Sequence, residues 1–309
     1  MVIFQWYNNI NILIFLIMIS NCLSTISGYI PISGKGKMYY EQNGEGEPLI
    51  FLHGHSLDTR MWDLQWDYFS KYFHVIRPDF RGYGKSTDQS ETFQFTHVDD
   101  LITLMDFLKI DKAHIVGLSM GAFIAGDMLA IYPERMLSCT LTSGGIRSVP
   151  GPSEPMGEEE KRRRDSEIEE LKKKGIEIYK KEWHKILMSS GGSKRERMSL
   201  PLYHMVKDWS AWQQLHKEVR NYYAKEAWDE LKRKEVVDVP TLLIRGENEV
   251  KYQTGQPNEM QYLSNSRYMI IKDCGHMLNM ERPNEYNELL LSFLREIKRN
   301  NTNNNTNIY

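Results

Sequence analysis

The chain reads as an α/β protein, a doubly wound and mostly parallel sheet interrupted by a helical insertion. Three observations predict this. Short apolar runs alternate with helical patterns over residues 37–141. From about Arg147 to Lys234 the alternation gives way to charge-dense sequence without a clear strand. It then resumes at Thr241 and closes on a helix over residues 284–298. Strands joined by helical crossovers pair in parallel and carry helices on both faces.

Taken in order, residues 37–42 predict a strand, and Asn43-Gly44-Glu45-Gly46 supplies the turn after it. The apolar run 49–52 leads directly into His53-Gly54. A helix is expected over 61–72, a strand over 74–77, a helix over 97–108 and a strand over 114–116. A helix of small residues follows over 121–132, then a strand over 137–141. Beyond the insertion, 241–245 and 268–271 complete the strands. The core is therefore expected at 29–146 and 236–299, with a helical lid at 147–235.

The ends differ from the middle. Residues 10–19 (INILIFLIMI) are apolar except for Asn11, and 20–28 are small and polar. That run is short for a membrane span and suits a signal-peptide core, or else a membrane anchor, within a leader of 1–28. It implies an exported or membrane-attached protein with a mature start between Cys22 and Tyr29. A positively charged n-region is missing, and without such a leader the location is cytoplasmic. The Asn-rich end, 300–309, is low in complexity and is expected to be disordered. Its two Asn-x-Thr matches follow from composition.

Bulk composition excludes several function classes. A formal charge of -2 over 309 residues argues against an electrostatic nucleic-acid binder. No CxxC pair or HExxH helix is present, so neither a zinc site nor any other metal or organic cofactor is implied. Three cysteines, Cys22, Cys139 and Cys274, are too few for a disulfide framework.

The chemistry concentrates at three loops. Gly117-Leu118-Ser119-Met120-Gly121 sits between a strand and a helix, the context in which G-x-S-x-G presents a nucleophile on a sharp turn. Glycine at both flanks leaves room for the neighbouring strand and helix, and the helix N-terminus brings backbone dipoles to Ser119. Serine needs a base. Of nine histidines, His276 lies on the loop between the last strand and the final helix, where catalytic groups of open parallel sheets gather. His74 and His114 open strands, His97 starts a helix, and His184, His204 and His216 belong to the lid. In His53-Gly54-His55-Ser56 the glycine lets the backbone turn toward the elbow. The N–H groups of His55 and Met120 are thus candidate oxyanion donors, with the His53 side chain structural.

Several segments together resemble the α/β-hydrolase superfamily over nearly the whole chain beyond the leader. Phe51-Leu52-His53-Gly54, with Leu57-Asp58 and Met61-Trp62, resembles the oxyanion loop and the helix after it. Asp79-Phe80-Arg81-Gly82-Tyr83-Gly84-Lys85-Ser86 resembles the D-x-R-G-x-G-x-S segment, in which Asp79 and Arg81 are expected to brace a turn. Gly275-His276-Met277, with Glu281-Arg282-Pro283, resembles the histidine loop. The details are closest to the esterase, enol-lactonase and cofactor-free haloperoxidase-like group. Residues 239–246 resemble the strand before the triad acid, commonly Asp at the third position after Gly246. Here that position is Glu249, with Glu247 and then Asp273 as alternatives.

The resemblance implies a small-molecule acyl substrate and hydrolysis of an ester, thioester or lactone through an acyl-serine. Rival readings are a carbon–carbon bond hydrolase or perhydrolase with the same triad, and a non-catalytic ligand-binding protein. Ser119 rather than Asp at the elbow argues against epoxide hydrolase or haloalkane dehalogenase chemistry. Neither the oligomeric state nor the substrate is specified, and the lid aromatics Trp183, Trp209, Trp212, Tyr222, Tyr223 and Trp228 are expected mainly to pack lid onto core.

Overall fold

Eight strands form one sheet in the order β1-β2-β4-β3-β5-β6-β7-β8. They are β1 (Ile26–Ile32), β2 (Gly36–Asn43), β3 (Pro48–Leu52), β4 (His74–Pro78), β5 (Ala113–Leu118), β6 (Met136–Thr142), β7 (Thr241–Gly246) and β8 (Ser266–Ile271). The computed structural model describes residues 25–146, 157–216, 227–234, 236–250 and 257–306. β1 and β2 pair antiparallel, as do β2 and β4, and every other pairing is parallel. β3 (PLIFL) and β5 (AHIVGL) lie side by side at the centre and are buried throughout β5 and almost throughout β3. An unbroken apolar run is what a strand covered on both faces requires.

One face is covered by α2 (His97–Phe107) and α3 (Met120–Ile131). The other is covered by α1 (Asp63–Phe69), where Trp66 and Phe69 meet Tyr286 and Leu290 of the last helix. The chain leaves β3 toward β4 and leaves β5 toward β6, so the sheet reverses direction between β3 and β5. A crevice opens at the carboxyl ends of the strands flanking such a switch. His53-Gly54 and Ser119 stand there, directly after β3 and β5.

The insertion is helical over its described residues. It contains α4 (Glu158–Lys174), α5 (Ile176–Ser189), α6 (Glu196–Asp208), α7 (Trp212–Leu215) and α8 (Ala227–Lys234). One boundary moves. α8, expected within the lid, buries Ala227 and Leu231 in the same cluster as α3 and packs against that helix. An amphipathic helix of eight residues carries no sequence mark that separates a lid from a core face.

Two further boundaries differ from expectation. β1 begins at Ile26, inside the residues assigned to the leader, and Ile26, Ser27 and Gly28 pair with Gln42, Glu41 and Tyr40. Its alternation buries Ile30 and Ile32, a signal hidden by the small residues that suit a cleavage region. The apolar run 10–19 lies outside the described residues, as do Cys22, Tyr222 and Tyr223. Among the described residues no helix is long and apolar enough to cross a membrane. At the other end the closing helix, counted after two short ones in the site below, runs over Pro283–Thr306. The Asn-rich stretch expected to be disordered therefore continues it through 306. Extending a packed helix adds one hydrogen bond per residue without a new nucleus.

Candidate active site

Ser119 joins β5 to α3 with φ 56° and ψ -115°. A non-glycine residue is strained there and persists only where the surroundings impose it. The Ser119 N–H donates to the Thr142 carbonyl on β6 at 2.9 Å. Packing around the turn leaves no space for side chains. A Cβ on Gly117 would lie 2.1 Å from the Gly121 carbonyl oxygen, and one on Gly121 would lie 2.1 Å from the Leu52 carbonyl oxygen. The glycines of the G-x-S-x-G pattern are thus set by the crossing of β3, β5 and α3.

The proposed acid follows β7 on a single turn of helix, α9 (Glu247–Val250). Glu249 Oε1 accepts from His276 Nδ1 at 2.5 Å. Its other oxygen, Oε2, accepts from Ser143 Oγ at 2.5 Å and from the Gly246 N–H at 3.3 Å. Burial pushes this carboxyl upward, but the bonds to His276, Ser143 and Gly246 outweigh it and hold it below its ordinary value. The alternatives are occupied elsewhere. Glu247 is exposed and accepts the Asp273 N–H at 2.9 Å. Asp273 pairs with Ser193 and Arg282.

His276 stands between β8 and α10 (Leu278–Glu281). Its N–H donates to Ser190 Oγ at 3.1 Å. The loop before it is pinned by Glu281, fully buried, whose Oε2 accepts the Gly275 N–H at 2.9 Å and whose Oε1 accepts the Gly192 N–H at 2.6 Å. α11 (Pro283–Thr306) follows and seals this face with Tyr286, whose hydroxyl meets Thr142 Oγ1 at 3.0 Å. With Nδ1 committed to Glu249, the proton-free position of a neutral His276 is Nε2. Among the described residues Ser119 and His276 make no direct hydrogen bond, and catalytic hydrogen bonds of this kind tighten in the Michaelis complex.

The loop after β3 completes the arrangement. His53 is structural, as expected. Its Nδ1–H donates to the Gly54 carbonyl at 2.8 Å and its Nε2 accepts the Phe80 N–H at 3.0 Å. Burial lowers its pKa to about 4, so the ring is neutral near pH 7. The His55 ring meets the Tyr83 hydroxyl at 2.8 Å, and burial followed by the nearby His53 lowers it to about 4 as well. The N–H groups of His55 and Met120 donate to no protein acceptor among the described residues. Asp79 and Arg81 brace the neighbouring turn. Asp79 accepts the N–H groups of Thr59 and Lys85 at 2.7 and 2.8 Å, and Arg81 forks onto Asp100 at 3.0 and 2.8 Å.

Ser119, His276, Glu249 and His55 all line one cavity of about 410 Å³. The insertion supplies part of its wall through Trp183, Ile186 and Leu187 of α5. No lysine or arginine lines it among the described residues. Sequence reasoning missed Ser143 and Ser190. Ser143 stands at φ 49° just past β6, and its neighbours Gly144-Gly145 are a turn signal that could have directed attention there. Ser190 carried no local signal. Cys139 and Cys274 are free and buried.

Comparison with known proteins agrees with this architecture. The model of a family described as "Alpha/beta hydrolase family" matches residues 49–289. An (E)-2-((N-methylformamido)methylene)succinate hydrolase of Acinetobacter baylyi is 32% identical over 120 residues, covering 38% of this chain and 46% of that protein. A 2-hydroxy-6-oxo-6-phenylhexa-2,4-dienoate hydrolase of Comamonas testosteroni is 24% identical, covering 84% of this chain and 91% of that protein. Among solved structures, Est816, an N-acyl homoserine lactone degrading enzyme, is 28% identical with TM-score 0.65, over 86% of this chain and all of that one. The enol-lactonase of Burkholderia xenovorans LB400 shares the fold at TM-score 0.66 and 23% identity, over 87% of this chain and 100% of that one. The chain belongs to the alpha/beta hydrolase family.

Proposed function

We propose that the protein is a serine hydrolase that cleaves a carboxylic ester, thioester or lactone through an acyl-serine intermediate. One observation carries the reading: the Glu249–His276 pair, held at 2.5 Å, shares a cavity with a serine on a strained elbow. In this mechanism Ser119 Oγ attacks the acyl carbonyl and its proton passes to His276 Nε2. The resulting imidazolium is stabilised by Glu249, and the His55 and Met120 N–H groups receive the oxyanion. Collapse expels the alcohol or thiol, which takes the proton from His276. Water then attacks the acyl-serine with His276 again as base, releasing the acid and free Ser119.

The cavity supports a neutral acyl group. Its described lining is mainly apolar and offers no cation to a substrate carboxylate, which favours simple esters and lactones over dienoate substrates. Covalent labelling by a fluorophosphonate, located by peptide mapping, together with an ester and lactone panel, tests the reading. Labelling at Ser119 with turnover of uncharged esters supports it. Ligand binding without labelling would favour a non-catalytic role. Export or membrane attachment through the leader is proposed from the sequence. Cleavage after Ser24 leaves β1 whole, whereas cleavage after Ser27 would remove its first pairs. N-terminal sequencing of the native protein decides between them, and an intact Met1 in a soluble cytosolic fraction defeats the idea.

A further inference from the structure

α5 touches the catalytic loops at two separate places. Near its middle, the Trp183 indole N–H donates to Ser56 Oγ at 2.7 Å. Ser56 is fully buried, stands at φ 65°, and its own hydroxyl donates to the His55 carbonyl at 2.5 Å. Just past the helix end, Ser190 Oγ accepts the His276 N–H, and the Ser190 carbonyl accepts Asn248 Nδ2 at 3.0 Å. The inserted helix thus contacts the loop that would donate to an oxyanion and the loops that carry base and acid.

We propose that Trp183 is a positioning residue: its indole N–H, acting through Ser56, holds the His55 carbonyl and so fixes the backbone of the residue whose own N–H, in the preceding peptide, is the oxyanion donor. This rests on the serine-hydrolase reading above. The chain of donors is complete in one direction only. The single hydroxyl hydrogen of Ser56 is used on the His55 carbonyl, so the buried oxygen needs a donor of its own, and Trp183 supplies it. The left-handed backbone at Ser56 is strained for serine and has to be imposed by its contacts. The ring of His55 is packed edge-on against Trp183 and Trp209, at 5.8 and 5.0 Å between ring centres. Removing the indole N–H leaves that packing but frees the backbone link. Oxyanion contacts strengthen in the transition state, so slack there lowers kcat and leaves KM nearly unchanged. A residue that merely lined the acyl cavity would do the reverse.

Trp183→Phe keeps an aromatic ring and removes the donor. It is expected to lower kcat on a neutral p-nitrophenyl ester by about tenfold, with KM within about twofold, because small misplacements cost one to two decades. Ser56→Ala should do the same, and the double variant should be no worse than the worse single one. Amide hydrogen exchange over residues 53–57 should rise in each variant that circular dichroism shows to be folded. Additive losses, a change confined to KM, or unaltered exchange over 53–57 would overturn the proposal. Fluorophosphonate labelling of the wild type separates the two readings. If Ser119 does not react, the hydrolase reading fails, and exchange over 53–57 alone still judges whether Trp183 holds the loop.

Discussion

Glu249 uses both of its oxygens, one on His276 and one shared by Ser143 and Gly246. In the proposed triad, that double engagement lets a glutamate serve where aspartate is usual: the longer side chain reaches His276 from the first turn of a helix. Losing the carboxylate should lower turnover by about four orders of magnitude, by analogy with a serine protease whose triad aspartate is made neutral. Glu249→Gln is therefore expected to fall by about that factor in kcat. Glu247→Gln should stay near wild type, since Glu247 caps the Asp273 N–H at the surface. Glu249→Asp shortens the reach by one methylene and should lose about tenfold or more, because one of the two partners is given up. Steady-state kinetics on the three variants checks this, and a crippled Glu247→Gln would reassign the acid. Ser119→Ala should fold and lose at least about a thousandfold in ester hydrolysis. A variant as fast as wild type would remove Ser119 from the mechanism.

At the scale of elements, the elbow depends on how closely α3 approaches β3. Gly121 lies where any Cβ would enter the backbone at Leu52 and His53. Backbone atoms on two buried elements cannot yield as a flexible side chain would. Gly121→Ala is expected to destabilise the fold by about 3 kcal/mol, and to loosen the Ser119 turn as α3 is pushed away. Urea denaturation measures the first effect, and the fluorophosphonate labelling rate the second. Unchanged stability would mean that β3 and α3 are not packed as described. α5 belongs to the same scale, since it joins the His55 loop to the His276 loop and makes the insertion part of the site's geometry.

Over the whole molecule, three histidines with lowered pKa values make the fold sensitive to acid. His53 and His55 are lowered to about 4, chiefly by burial, and His97 to about 3 by burial with His53 and Arg81 nearby. Their folded pKa values lie below the ordinary 6.5, so above pH 6.5 they carry no penalty. As pH falls from 6.5 toward 4 the unfolded chain binds protons that the fold refuses, and stability is lost. For His53 alone the loss is on the order of 3 kcal/mol. Asp79 opposes this. Burial raises its carboxyl to about 6, so the fold takes up that proton ahead of the unfolded chain between about 6 and 3.8, returning part of the stability. Because the histidine losses exceed what Asp79 returns, calorimetry should record a falling Tm between pH 6.5 and 4. A flat Tm across that window would show that these rings are not held neutral.

The sequence by itself determined the alternation of strand and helix, the elbow at Ser119, the loop position of His276 and the stretch that holds Glu249. Those features rest on local physics: apolar periodicity, glycine at crowded turns, and a strand followed at once by a helix. The choice of Glu249 over Glu247 was different, because the two stand two residues apart on one loop and only the arrival of His276 from β8 distinguishes them. The partners that Ser143, Ser190 and Ser56 find were hidden for the same reason. Each is an ordinary small polar residue until β6, the insertion and the β3 loop converge on the carboxyl edge of the sheet. β1 was hidden because Ser27 and Gly28 suit a cleavage region as well as a strand, and its pairing with β2 is a contact that local pattern does not show. α8 likewise became part of the core only through α3. Local pattern names the elements and the reactive residue types. Which of them meet is a long-range fact, and only tertiary packing supplies it.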